Sequence, residues 1–255
     1  MPFTSALVTG ASSGIGEAMV YRLVDARIPT VVVARRGDRL HELAAALPGV
    51  EVLVADLTTD EGVQAVVDRI GDAEHPIDLV VNNAGFGTSG AFHTLDPDRL
   101  TREIALNVTA LTRISRAALA AMLPRGRGHL LNVSSMVSFQ PAPHLAVYAA
   151  TKAFVTNLGE SLHEEVRGTG VHVTTLCPGL TRTEFQSISS SDGYAGQYPR
   201  FMWTSVDLVA RTGLDAVAKG SALAVPGVLY RVMGLLVGLL PRRVLRRLSA
   251  LVQRT

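Results

Sequence analysis

The sequence predicts a doubly wound α/β fold, a parallel sheet with helices on both faces, and three observations carry that reading. Short apolar runs alternate with stretches of helical period along most of the chain. The first run is followed at once by a glycine-rich turn, Gly10-Ala11-Ser12-Ser13-Gly14-Ile15-Gly16, that opens a helix. The chain has 255 residues and no Ser/Pro/Gly-rich linker, repeat or low-complexity run to divide it, a size at which such a sheet forms one domain.

Ala6-Leu7-Val8, ended by Thr9-Gly10, reads as a buried first strand. Glycines between a strand and a helix permit a tight turn, and the helix start offers N–H donors and positive potential to a pyrophosphate. The spacing here is G-x-x-x-G-x-G, a weak signal alone that its place after the first strand strengthens. Residues 30–34 read as the second strand, with Arg35 and Arg36 at its end. An acidic residue near that point would bind a ribose 2′-hydroxyl, whereas arginine suits a 2′-phosphate. The two cations precede a helix expected at 38–47, whose N-terminal dipole disfavours positive charge, so an anion is expected beside them. The pair favours NADP over NAD.

Val52-Leu53-Val54 reads as the third strand, ending at Asp56, with a helix expected at 59–70. The fourth strand, 77–81, ends at Asn82-Asn83-Ala84-Gly85, and small and amide residues there suit a crevice where a flat ligand passes close to backbone; an Asx-bonded turn is the plain alternative. A long helix is expected over 98–123, started by Asp96-Pro97, with Asn107 inside it among apolar neighbours. Residues 129–133 read as the fifth strand and lead to Ser134-Ser135; 171–176 read as the sixth, followed by Cys177-Pro178-Gly179-Leu180-Thr181-Arg182-Thr183.

The helix between them, expected at 146–167, carries Tyr148 and Lys152, four apart and so on one face. A free phenol has a pKa near ~10. A fixed cation beside it lowers that value and gives an acid/base group matched to an alcohol or carbonyl, whose interconversion moves one proton with one hydride. Taken alone, Y-x-x-x-K is an ordinary helix start; the glycine turn, the Asn83 segment and the serine pair give it meaning.

From 184 to 204 the pattern breaks into Ser, Gly and aromatics; such a segment is either disordered or a lid, and its aromatics would give a lid an apolar underside. An amphipathic helix over 206–218 precedes the final strand, Leu223-Ala224-Val225. Residues 228–240 are strongly apolar yet too few to span a bilayer, and beyond Pro241 the arginines 242, 243, 246 and 247 fall on one helical face with apolar residues on the other. Such a helix either packs on its own domain or a second subunit, or lies on a membrane surface.

A formal net charge of +2 gives no global case for nucleic acid, and no metal is expected. The single cysteine, Cys177, excludes an internal disulfide, and the start of the chain lacks the charged and apolar segments of a signal peptide, so a cytoplasmic location is expected.

Jointly, Thr9-Gly10-x-x-x-Gly14-x-Gly16, Asn82-Asn83-Ala84-Gly85, Asn107, Ser135, Tyr148-x-x-x-Lys152 and Pro178-Gly179 resemble the short-chain dehydrogenase/reductase family over residues 5–225. The resemblance implies a Rossmann-like, seven-stranded parallel sheet over 1–227, carrying the lid and followed by a helical extension at 228–255. It implies that Tyr148 is the general acid in reduction, that Lys152 binds the nicotinamide ribose and lowers the tyrosine pKa, that Ser135 holds the substrate oxygen, with Ser134 as the alternative, and that Asn107 keeps a water against Lys152. Gly10, Ser12, Ser13, Gly14, Ile15 and Gly16 would hold the pyrophosphate and adenine ribose, and Asp56 and Leu57 the adenine. Asn83, with Ala84 and Gly85, would meet the cofactor ribose; Thr181 and Thr183, after Pro178-Gly179, its nicotinamide side. NADP-preferring members often carry a basic residue where Arg36 stands, and many carry another where this chain has Ser13.

Tyr148 to Val155, Leu162-His163-Glu164-Glu165 and Ala224-Val225-Pro226-Gly227 are similar to a branch that includes membrane-associated 3-ketoacyl and 17β-hydroxysteroid reductases. The expected activity is NADPH-dependent interconversion of a ketone and a secondary alcohol on a lipophilic substrate, in a homo-oligomer, dimer or tetramer. The rival expectation is an NADP-binding regulator that keeps the fold without the chemistry.

Overall fold

The structure, a computed structural model, describes residues 1–189 and 199–252. Seven strands, β1 (Ala6–Thr9), β2 (Thr30–Ala34), β3 (Val50–Val54), β4 (Leu79–Asn82), β5 (Gly128–Val133), β6 (Val171–Leu176) and β7 (Leu223–Ala224), form one parallel sheet in the order β3-β2-β1-β4-β5-β6-β7. The first five pair along most of their length, while β7 adds only Leu223 and Ala224 against Thr175 and Leu176.

Strand residues alternate between two cores, as the two-residue period of a strand requires. Ala6, Val8 and Val32 face Met19, Leu23, Val209 and Leu214; Leu7, Val31, Val33 and Val80 face Val63, Val66, Ile114 and Met122. The first core packs the sheet on α1 (Gly14–Asp25), α2 (Gly37–Ala46) and the helix Val206–Ala218; the second packs it on α3 (Asp60–Gly71) and the helix Leu111–Met122. A Leu→Ala change at Leu7, which is fully buried, would cost about 2–5 kcal/mol.

Local chemistry sets the helix starts. Thr59 accepts from Gly62 N at 3.1 Å and caps α3; Asp96 accepts from Asp98 N at 3.0 Å with Pro97 behind it and caps α4 (Pro97–Ile104). The long helix expected over 98–123 is not uniform. Between α4 and α5 (Leu111–Met122) the turn Ala105–Ala110 widens to π geometry, and Asn107 sits in it.

The remaining helices are α6 (Ala146–Glu165), the short α7 (Phe185–Ile188), α8 (Val206–Ala218), α9 (Val228–Leu239) and α10 (Arg242–Val252). The lid expected over 184–204 is represented by α7 and a tight turn at Arg200–Met202; residues 190–198, including Tyr194 and Tyr198, lie outside the described residues. Among the described residues no helix is long and apolar enough to cross a membrane.

Candidate active site

Strand order reverses between β1 and β4, so the loops leaving their carboxyl ends part and open a crevice. The cavity there has a volume of about 710 Å³ and runs from the ends of β2 and β3, past the glycine turn, to Tyr148 and the underside of α9.

At one end the backbone is packed without slack. Thr9 Oγ1 accepts from Asn83 N and Ala84 N, both at 3.0 Å, and Asn83 Nδ2 donates to Thr9 O at 2.9 Å and Gly10 O at 3.2 Å. Gly10 and Gly14 take positive φ, +66° and +62°, and a Cβ on Gly16 would lie 2.5 Å from Asn83 Nδ2. Gly16 thus serves the packing behind the groove, whereas Gly10, Ser12, Ser13, Gly14 and Ile15 line it, as do Ala84 and Gly85.

The arginine pair divides. Arg35 turns toward Asp56 at 3.8 Å, while the Asp56 carboxylate also accepts from Thr58 N at 2.9 Å; both line the cavity, as does the largely buried Leu57. Arg36 instead lies over the glycine turn, donating to Ser12 Oγ at 3.0 Å and Ser13 Oγ at 2.8 Å, and its Nη1 meets Glu184 Oε2 at 2.8 Å. The anion expected beside the pair is therefore supplied by the chain itself, and Arg36 holds the Glu184 carboxyl below its usual range.

At the centre, Tyr148 and Lys152 project from α6. Lys152 Nζ donates to Val133 O at 2.8 Å and lies 5.8 Å from the Tyr148 ring centroid. Burial pushes the phenol pKa well above its ordinary value, with the Ser135 hydroxyl opposing, and pushes Lys152 down to about 8. The expected lowering of the tyrosine pKa by its lysine neighbour is therefore not what the structure gives: desolvation raises it, and the opposing pull comes from Ser135. The serine pair also divides: Ser134 Oγ is buried and donates to Lys152 O at 2.8 Å, whereas Ser135 faces the cavity and Tyr148.

Asn107 is buried behind this group. Its Nδ2 donates to Phe86 O at 2.8 Å and Thr151 Oγ1 at 3.1 Å, and its Oδ1 accepts from Phe86 N at 3.2 Å. A Cβ on Gly85 would lie 2.9 Å from Asn107 Oδ1 and 3.5 Å from Lys152 Nζ, so the glycine keeps a small space open between amide and ammonium.

The third side carries Pro178, Gly179, Thr181 and Thr183, held from the lid by Gln186, whose Nε2 donates to Thr181 O at 2.8 Å and whose Oε1 accepts from Thr183 N at 3.2 Å. Phe185 packs against Tyr148 with ring centroids 5.1 Å apart and planes tilted by 48°. Val137, Leu145, Met202, Met233 and Val237 complete an apolar wall.

Taken together, the donors at the groove are a helix N-terminus, two serine hydroxyls and a guanidinium, which fit a dinucleotide bearing a further phosphate. The family model for short chain dehydrogenase matches residues 4–193. The chain belongs to that family. A curated relative from Streptomyces exfoliatus, 1-deoxy-11-beta-hydroxypentalenate dehydrogenase, is 36% identical over 225 residues, covering 85% of this chain and 80% of its own. A short-chain dehydrogenase from Sphingobium yanoikuyae, solved in complex with NADPH, is 32% identical with a TM-score of 0.82, covering 93% of this chain and 96% of that one. The bulky-bulky ketone specific alcohol dehydrogenase from Comamonas testosteroni is 29% identical with a TM-score of 0.78, covering 95% and 96%.

In this short chain dehydrogenase three contributors escape a reading by motif. Glu103 is fully buried one helical turn before Asn107, neither carboxylate oxygen has a hydrogen-bond partner among the described residues, and burial pushes its pKa up to about 7 against the pull of nearby Thr88, Arg99 and Lys152. Tyr230 Oη accepts from Leu180 N at 3.0 Å and donates to Met202 O at 2.7 Å, and a Cβ on Gly179 would enter its ring. Gln186 is the third. A lone aromatic inside the apolar run 228–240 was the available signal for Tyr230; nothing local marks the other two.

Proposed function

We propose that the chain is an NADPH-dependent reductase interconverting a ketone and a secondary alcohol on a lipophilic substrate. The observation that carries this reading is the convergence of Ser135, Tyr148 and Lys152 on one cavity whose far end is capped by Arg36 and whose near wall is apolar. When bound, the nicotinamide supplies the hydride. Tyr148 donates its phenolic proton to the carbonyl oxygen as that oxygen gains charge, and the upward shift of its pKa keeps it protonated throughout the neutral range. Ser135 holds the same oxygen and fixes its approach to the phenol. Lys152 orients the cofactor ribose and carries its charge below about pH 8. Asn107 braces the 83–86 segment and faces, across Gly85, the space where a water would link Lys152 to solvent.

Arg36 and the serines of the glycine turn favour the phosphorylated cofactor, and the NADPH complex of the Sphingobium relative supports this. The ketone specificity named for the Comamonas enzyme and the apolar wall here support a bulky carbonyl substrate.

The test is a titration with NADPH and NADH followed by a panel of aliphatic, aromatic and steroidal ketones. Tighter NADPH binding with ketone-dependent oxidation is expected. Arg36→Ala should erase most of the preference, about tenfold or more, and Tyr148→Phe should lower turnover by roughly 10²–10⁴. Near-full turnover in Tyr148→Phe would remove the acid/base assignment; tight binding with no turnover of any ketone would favour the regulator.

A further inference from the structure

We propose that α9 and α10 form a docking face for an anionic membrane surface. Charge is distributed along the chain in a way its total conceals. Residues 228–255 hold six of the 24 basic residues, all arginine, and none of the 22 acidic ones; the other 227 residues therefore hold 18 basic and 22 acidic, a net charge of −4 against +6. An apolar helix joined to a basic one, on a body of opposite sign, fits a surface that is both greasy and negative.

The geometry of α9 agrees. Tyr230, Met233 and Val237, spaced by three and four, line the cavity. The opposite face presents Val228, Val232, Leu235, Leu236 and Leu239 to solvent, with Leu235 73% and Leu239 81% exposed. A helix apolar on both sides is ordinarily covered on both. Its 12 residues rise about 18 Å, well short of a bilayer core of ~30 Å, so it can lie in the interface but cannot cross it. Immediately beyond Pro241, Arg242, Arg243, Arg246 and Arg247 are all exposed, while Leu245 is buried and holds α10 in place.

A second copy of the chain is the competing occupant. A two-fold contact sets the same patch against itself, and this segment holds no acidic residue to answer its own six arginines. An anionic lipid surface offers a partner to both the exposed apolar face and the exposed arginines. Because one helix supplies both the exposed face and the inner wall, docking also sets the substrate cavity at the bilayer surface, where a lipophilic ketone partitions; this part rests on the reductase reading.

The experiment uses the full chain with saturating NADPH and vesicles of phosphatidylcholine with or without 30% phosphatidylglycerol. Cosedimentation with the anionic vesicles, weakened by salt and by omitting phosphatidylglycerol, is expected. Arg242→Glu/Arg243→Glu/Arg246→Glu/Arg247→Glu should weaken it at least tenfold, and Leu235→Asp/Leu239→Asp should abolish it, each with unchanged melting temperature and unchanged turnover of a water-soluble ketone. Absence of vesicle binding at low salt would overturn the proposal, as would a concentration-dependent dimer in sedimentation velocity that Leu235→Asp/Leu239→Asp breaks. Vesicle binding without turnover of any ketone would instead overturn the reductase reading and leave the docking face standing.

Discussion

The two ends of the cavity are built by different means. At the cofactor end, β1 and β4 deliver backbone to backbone: Thr9, Gly10, Asn83 and Ala84 interlock within 3.2 Å, and glycine is required because no side chain fits between them. At the substrate end, the wall is assembled from side chains of α7, the Arg200–Met202 turn and α9, elements outside the sheet that touch the site through Phe185, Met202, Tyr230 and Met233. The first end is a property of the fold and tolerates little change. The second can be altered residue by residue without disturbing the sheet, which is how one scaffold serves many carbonyl substrates.

The sharpest way to break this contrast is Gly16→Ala. Its Cβ would collide with the Asn83 amide and the backbone beneath it, so a loss of about 3 kcal/mol or more is expected in urea denaturation, together with weakened NADPH binding. An alanine tolerated there would mean the cofactor end has slack. Glu103 tests the ground between the two ends. Its pKa in the folded state, about 7, stands above the ordinary 4.5, so its favourable contribution is complete at low pH and is lost as pH rises through about 7. Glu103→Gln should therefore be more stable than the parent at pH 8, by on the order of 3 kcal/mol, and nearly equal to it at pH 4.5. Parallel pH–stability curves for the two proteins would show that the carboxyl is not held as described. The smallest effect is expected at the substrate end. Tyr230→Phe removes the two bonds to Leu180 and Met202, should cost about 1 kcal/mol, and should raise KM for a bulky ketone with little change in kcat or in NADPH affinity. An equal loss in cofactor affinity would join the two ends that the comparison separates.

The cofactor end was legible in the sequence because its determinants are local. A strand, a glycine turn and a helix follow one another within residues 6–25, and the position of Arg36 at a strand end is fixed by counting. The amphipathic tail was legible for the same reason. What the sequence could not show is which of two equivalent neighbours turns inward. Ser134 and Ser135 differ only in the side of the chain they leave, so the burial of Ser134 emerges only with the packing; Arg35 and Arg36 both line the cavity, and what the packing decides is their partners, Asp56 for one and the serines of the glycine turn for the other. Glu103, Gln186 and the Gly179–Tyr230 contact join residues distant in sequence or lack any distinguishing neighbour. The uniform helix expected over 98–123 differs from the structure at Ala105–Ala110, where a widened turn carries Asn107.

The bridge from Arg36 to Glu184 has a consequence for how the cofactor arrives. A guanidinium waiting bare at the groove would attract a cofactor phosphate with a strength that falls as salt screens the pair. Here the resident counter-ion is covalently part of the chain. If Arg36 meets the cofactor's further phosphate, as proposed, binding exchanges a tethered carboxylate for that phosphate, and the salt dependence of cofactor affinity is expected to be shallower than for a bare guanidinium.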